Sequence, residues 1–150
     1  MNLDILDNYE KIKDDPVRPH LTVDFRTSPG REVYCLKNKD DISAVICVAY
    51  TNHVPIDEYE LDKFSQAACQ DDQHGSIAVF YTVWSYAKGA GRKMVLDTAK
   101  HIKKNRPVKR FVTLSPKTEM ARKFHLSNGA VEIQTNSLSI NYEYPTEAIS

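Results

Sequence analysis

Apolar and polar positions along this chain recur with periods of two or of three to four, and these runs predict its strands and helices. Leu3, Ile5, Leu6 and Tyr9 to Ile12 predict a short N-terminal helix that stops at Asp14-Asp15-Pro16, because proline pushes the preceding residue away from helical angles. Leu21, Val23 and Phe25 alternate with Thr22, Asp24 and Arg26, which predicts a half-buried strand before the turn at Ser28-Pro29-Gly30. Glu32 to Lys37 and Ile42 to Tyr50 flank the polar turn Asn38-Lys39-Asp40-Asp41 and form an antiparallel hairpin, with Cys35 and Cys47 as packing residues. From Ile56 to Cys69 the apolar positions Leu61, Phe64, Ala67 and Ala68 take helical spacing. Asp57, Glu58 and Glu60 sit in the first turn, where acids suit the helix dipole.

The second half is more regular. A β-branched and aromatic run from Ile77 to Ser85 breaks at Lys88-Gly89-Ala90-Gly91 and opens a helix, with Met94, Val95, Ala99 and Ile102 on one stripe and a stop at Asn105 and Pro107. Phe111 to Leu114 reads as a short buried strand. Ser115 follows as N-cap, Pro116 as first helical residue and Met120, Ala121 and Phe124 as a helical stripe, until Asn128-Gly129 ends the helix. Val131 to Gln134 and Leu138 to Tyr144 form a strand pair around Thr135-Asn136-Ser137. The order predicts one α/β (α+β) domain over residues 1–150, with a mixed, mostly antiparallel central sheet flanked by helices.

Composition narrows the function classes. Twenty basic residues balance twenty acidic ones over 150 residues, so no global field draws the protein to nucleic acid or to an anionic membrane. The three cysteines lack metal-ligand spacing, and no run approaches the roughly 20 apolar residues that span a bilayer. With no N-terminal basic-then-apolar segment, the expectation is a soluble cytoplasmic protein without a metal.

A strand that delivers a glycine turn to a helix start frees backbone amides at the positive end of the helix dipole, so Lys88 to Arg92 is a phosphate-binding candidate. Glycine at 89 and 91 lets the backbone approach phosphate closely, and Lys88 and Arg92 can add charge-assisted hydrogen bonds. Neither a P-loop nor a dinucleotide fingerprint fits, because no third glycine and no Lys-Ser/Thr pair follows.

Tyr86 to Gly91, YAKGAG, resembles the Q/R-x-x-G-x-G/A loop of the GCN5-related N-acetyltransferase superfamily, and TLSPKTEMARKFHLSNGAVEI resembles that family's following helix and strand. The resemblance covers about Ile77 to Tyr144. It implies an acyl-CoA site, with acetyl-CoA or another acyl-CoA as cosubstrate. Backbone groups of Tyr86, Ala87, Lys88, Gly89, Ala90, Gly91 and Arg92 would hold the pyrophosphate. The exposed strand edge at Tyr81, Thr82 and Val83 would pair with the pantetheine arm, and Thr118 and Phe124 would complete the cofactor-binding set.

The chain departs from the family pattern in three places. Tyr86 replaces the usual Gln or Arg and leaves only its backbone amide, Thr118 replaces an asparagine, and His125 stands where many relatives carry a thiolate-protonating tyrosine. His125 is therefore the candidate acid, since an imidazole N–H within reach of sulfur stabilises charge as the thioester breaks, although a helix-face histidine is as readily a solvated or capping residue. Ser115 is a candidate for orienting the acceptor or a water, beside its simpler N-cap role. No carboxylate lies in Ile77 to Ser85 to act as base. The nearest titratable cluster is Asp71, Asp72 and His74, which reads more simply as a solvated loop and leaves water as the candidate base. Ahead of Glu32 the chain is too short for the strand and two helices that relatives carry, and the helix at Ile56 to Cys69 falls between strands instead.

The resulting expectation is an N-acyltransferase acting by direct attack of a small-molecule or peptide amine, with a homodimer left open. Cys35 and Cys69 lack a histidine partner nearby in sequence and read as packing residues. Two rivals remain: a noncatalytic module that keeps the fold, and a nucleic-acid or protein adaptor using the basic residues between Arg92 and Arg110.

Overall fold

The two longest β-branched runs become the centre of one sheet in the computed structural model, which describes residues 1–71 and 74–149. The strands are β1 (Asn2–Ile5), β2 (Arg31–Asn38), β3 (Asp41–Thr51), β4 (Ile77–Ser85), β5 (Arg110–Thr113), β6 (Ser115–Pro116), β7 (Val131–Thr135) and β8 (Ser139–Tyr144). The helices are α1 (Val23–Thr27), α2 (Glu58–Cys69), α3 (Ala90–Asn105) and α4 (Glu119–Ser127). Among the described residues the sheet runs β1-β2-β3-β4-β5-β8-β6, with β7 paired to β8. The β4–β5 pair is parallel and the other ladders are antiparallel.

Because side chains alternate across a strand, β2, β3 and β4 feed two apolar layers. Tyr34, Ile46, Val48 and Phe80 pack under the predicted α3 stripe, where Met94, Val95, Ala99 and Ile102 are all buried. Val33, Val45, Cys47, Val79 and Tyr81 face Leu61 of α2 and the N-terminal segment. Cys35 and Cys47 are buried free thiols, as packing residues should be.

The first thirty positions differ from the periodic reading. Asn2 to Ile5 form a strand because the edge of β2 offers pairing partners from Lys37 to Tyr34, and a single 3₁₀ segment follows at Tyr9–Asp14. The alternation at Leu21, Val23 and Phe25 belongs to α1, nucleated by Thr22, whose hydroxyl accepts from the Phe25 amide at 3.1 Å. Two short-range forces decide this reversal. A side-chain cap satisfies an amide locally, and Arg26 must turn inward to meet Asp15 at 2.7 Å, a pair whose side chains are both 0% exposed. A strand and two short helical segments thus do precede β2 in compressed form, while α2 is an additional element between β3 and β4.

Helix α4 begins later than expected. Ser115 is not its N-cap: it pairs with Ile140 in β6, and Thr118 caps the helix by accepting from the Ala121 amide at 3.2 Å. Gly129, at φ +100°, turns the chain out of α4.

Candidate functional site

One extra residue in β4 opens the molecule. The β3–β4 register shifts between Cys47 and Val48, so that Cys47 faces Thr82, Val48 faces Phe80 and Tyr81 is left over as a bulge. Bulges bend the strand that carries them. The parallel ladder with β5 accordingly ends at Phe80, and the last link is the Leu114 amide donating to the Phe80 carbonyl at 3.1 Å. Beyond it the strands part around a cleft of about 330 Å³, walled by Val83 and Trp84 on one side and by Ser115, Ala121, Phe124 and His125 on the other.

Arg18 closes the base of the fork. Its guanidinium donates to the Tyr81 carbonyl at 2.9 Å and to the Leu114 carbonyl at 2.8 Å, and pairs with Glu58 at the start of α2. Asp15 fixes the same region from beneath: one carboxylate oxygen accepts from the Thr82 hydroxyl at 2.8 Å and from the Val17 and Arg18 amides, and the other accepts from Arg26. Neither Arg18 nor Asp15 carried a sequence motif; Asp15 stood out only as part of a stop signal before Pro16. Their importance comes from partners more than sixty positions away.

Of the strand positions singled out from sequence, Tyr81 and Thr82 turn their side chains into the layer facing α2 and the N-terminal segment. Both line the cleft, with the Tyr81 carbonyl taken by Arg18, whereas Val83 is half-buried. The Tyr81 hydroxyl is buried beside the Cys47 thiol, and burial holds its pKa well above the ordinary value.

In the loop, Gly89 has φ +80°, which only glycine adopts without strain, and it is the N-cap of α3 with no side-chain cap. The Ala90 amide donates to the Ala87 carbonyl at 3.1 Å. The amides of Gly89, Gly91 and Arg92 donate to no group of the described chain, and Lys88 is exposed beside them. Gly91 has a second reason to be glycine: a Cβ there would stand 3.2 Å from the Phe124 ring, so its absence lets α3 and α4 meet at the cleft. Arg92 reaches the Asn128 side-chain oxygen at 3.3 Å.

Tyr86 does not serve as expected. Its amide is taken by the Ser43 carbonyl at 2.8 Å, and its hydroxyl donates to Asp14 at 2.7 Å while accepting from the Trp84 indole at 3.0 Å. It tethers the loop to the N-terminal segment, and its backbone amide leaves the phosphate-binding set.

His125 is brought to the cleft wall but not as a solvated residue. It is 6% exposed, its Nδ1 lies 2.7 Å from the Tyr144 hydroxyl, and its ring stacks on Tyr142 at 5.2 Å. Burial lowers its pKa to about 4, so the ring is neutral at physiological pH. Ser115, 3% exposed, lines the same wall and donates to the Thr113 hydroxyl at 2.8 Å. Thr118 lines it too, with its oxygen engaged as the cap.

The Asp71–His74 cluster is described only in part, since Asp72 lies outside the described residues, and neither Asp71 nor His74 lines this cleft. Among the described residues no three metal-ligating side chains group together, and no helix is long and apolar enough to cross a membrane. Much of the basic segment is used internally: Lys93 pairs with Asp97 at 2.8 Å, Lys103 caps the Ile149 carbonyl at 2.7 Å, Arg106 covers the Tyr50 ring at 3.6 Å and Arg110 meets Glu143 at 2.7 Å.

No family model matches the chain, and no curated protein matches it by sequence. Solved structures do match its fold. Malonyl-CoA decarboxylase from Agrobacterium vitis superposes with a TM-score of 0.75 at 17% identity over 99% of this chain, which spans 61% of that protein's length. A Bacillus subtilis acetyltransferase in complex with CoA gives 0.65 at 10% identity, over 96% of this chain and 97% of that one. Tetrahymena GCN5 gives 0.63 at 15% identity, over 96% and 95%. The chain has the GCN5-related N-acetyltransferase fold.

Proposed function

We propose that this protein binds an acyl-CoA, acetyl-CoA in the first instance, along the β4 edge and the Lys88–Arg92 loop, and transfers its acyl group to an amine by direct attack. One observation carries the reading: the unpaired amides of Gly89, Gly91 and Arg92 stand at the start of α3 on the same strand end that the Tyr81 bulge has splayed from β5. Amides at a helix start hold pyrophosphate, and a strand edge without a neighbour can pair with an amide-bearing arm such as pantetheine.

The residues present divide the chemistry as follows. Phe124, Ala121, Val83 and Trp84 exclude water around the thioester. A neutral His125 N–H would stabilise charge developing on oxygen or sulfur, and Ser115 would orient the acceptor. The amine nitrogen forms the new C–N bond as the C–S bond breaks. Its proton leaves to water, since no carboxylate lines the cleft. The free thiols of Cys35, Cys47 and Cys69 suit a reducing compartment such as the cytoplasm.

A second reading has one specific support. A cleft whose ring is neutral and which lacks a carboxylate also suits loss of CO₂ from a malonyl-type thioester, the activity named for the Agrobacterium vitis protein. There the C–C bond to the carboxylate breaks, its electron pair forms the thioester enolate, and a solvent proton completes the acetyl group.

Thermal unfolding with and without acetyl-CoA tests binding: ligand at 100 times its Kd adds about 2.7 kcal/mol, or roughly 5 to 10 °C at this size. Incubation with acetyl-CoA and amines, followed by free thiol, and with malonyl-CoA, followed by CO₂, separates the two reactions. No shift at millimolar ligand overturns both and favours the noncatalytic readings.

A further inference from the structure

His125 has two ring nitrogens, and the protein itself determines which one carries the proton. Nδ1 lies 2.7 Å from the Tyr144 hydroxyl, and the ring makes no other hydrogen bond among the described residues, which leaves Nε2 for whatever enters the cleft. Tyr144 is 2% exposed. Nδ1 is the one acceptor that its hydroxyl reaches among the described residues.

The local inventory of donors decides between the tautomers. If Nδ1 carried the hydrogen, it and the buried Tyr144 O–H would point at each other, and one donor would lose its partner. A buried donor without a partner is costly, because its lost hydration is not replaced. If Nδ1 is bare, it accepts from Tyr144, and the Tyr144 oxygen stays open to a donor. A donor stands beside it: Asn128 Nδ2 is buried without a partner of its own, and the Asn128 side chain acts on the Tyr144 hydroxyl. The orientation of that amide is set from the other end, where Asn128 Oδ1 accepts from Arg92 at 3.3 Å. The bare-Nδ1 arrangement satisfies both His125 Nδ1 and the Tyr144 hydroxyl.

We propose that Tyr144 is a positioning residue: by donating a hydrogen bond to Nδ1 it holds His125 as the Nε2–H tautomer, a fixed neutral donor facing the cleft and not a base. The role at the thioester rests on the acyl-CoA reading above, whereas the tautomer does not. Two elements cooperate to build it, because α4 supplies the imidazole and the last residue of β8 supplies the hydroxyl. Asn128, the C-cap of α4, stands beside the pair. As a donor that never gives up its proton, His125 would stabilise charge at oxygen or sulfur without taking part in proton transfer.

The test is long-range ¹H–¹⁵N NMR of the full chain, labelled at histidine, for the wild type and Tyr144→Phe. The expected wild-type spectrum has a protonated, pyrrole-type Nε2 and a bare, pyridine-type Nδ1 for His125, and the variant loses that fixed pattern. With acetyl-CoA and an accepted amine, the variant is expected to lose about tenfold in kcat with KM for acetyl-CoA unchanged, the fold-change that one net hydrogen bond carries. A wild-type spectrum with Nδ1 protonated overturns the proposal, even if the variant does not fold. So does a folded variant that keeps both the Nε2–H pattern and kcat. Failure to bind acetyl-CoA would sink the acyl-CoA reading but leave the spectroscopic result standing.

Discussion

Burial of His125 makes a prediction about stability that needs no substrate. In the unfolded chain this ring takes up a proton near its ordinary pKa of 6.5, and in the folded protein only near 4. Between those values the unfolded state binds the extra proton, so stability falls as pH falls through the window and is independent of this group above it. The slope is about 1.4 kcal/mol per pH unit for one proton, and the whole window amounts to about 3 kcal/mol. Replacing the ring by His125→Asn removes that slope whatever it does to stability at pH 7. Urea unfolding of both proteins from pH 4 to 8 provides the assay, with the quantity of interest being the difference between the two curves, in which the other titrating groups cancel. A difference that shrinks by roughly 3 kcal/mol as pH falls from 7 to 4 supports a ring kept neutral by its surroundings. Parallel curves would refute the reasoning and place His125 in water.

Three further outcomes follow from the same geometry. Gly89→Asp puts a side chain and a negative charge at a φ of +80° beside the free amides; acetyl-CoA should no longer shift the melting temperature, and calorimetric titration checks this. Asp15→Ala leaves the fully buried Arg26 guanidinium unpaired and should cost about 3 to 5 kcal/mol in a denaturant titration. Tyr86→Phe cuts the tie to Asp14 but keeps the amide on Ser43, so acetyl-CoA affinity should change by less than about threefold, and a larger loss would return Tyr86 to the binding loop.

The sequence made legible what depends on local rules. β2, β3, α3 and the strand pair at the end were readable because their periodicity and their turn residues agree, as at Asn38 to Asp41 and Asn128-Gly129. The glycine loop was legible because glycine at 89 and 91 is needed there for reasons a motif records. What failed were segments whose conformation is set by distant partners. Asn2 to Ile5 lack a helix because β2 has a free edge, and Leu21 to Arg26 lack a strand because Arg26 is drawn to Asp15. Ser115 was read as the cap, but its pairing with Ile140 takes it into a strand and leaves the cap to Thr118. His125 does line the cleft, but its neutral state was not readable, since its burial comes from Tyr142 and Tyr144 on another strand.

The Arg18 fork also bears on how the chain assembles as it is made. One guanidinium near the N-terminus joins carbonyls 63 and 96 positions downstream, and Asp15 reaches 67 positions to Thr82. Long loops must close before such contacts contribute anything, so the segment that shapes the cleft is synthesised first and docks late. Until β5 has emerged and paired, Arg18 lacks the Leu114 carbonyl and the two walls are not held at their final separation. A cleft built this way is completed only when most of the chain is present, and a nascent or truncated form ending before Leu114 would carry the glycine loop without the finished cleft.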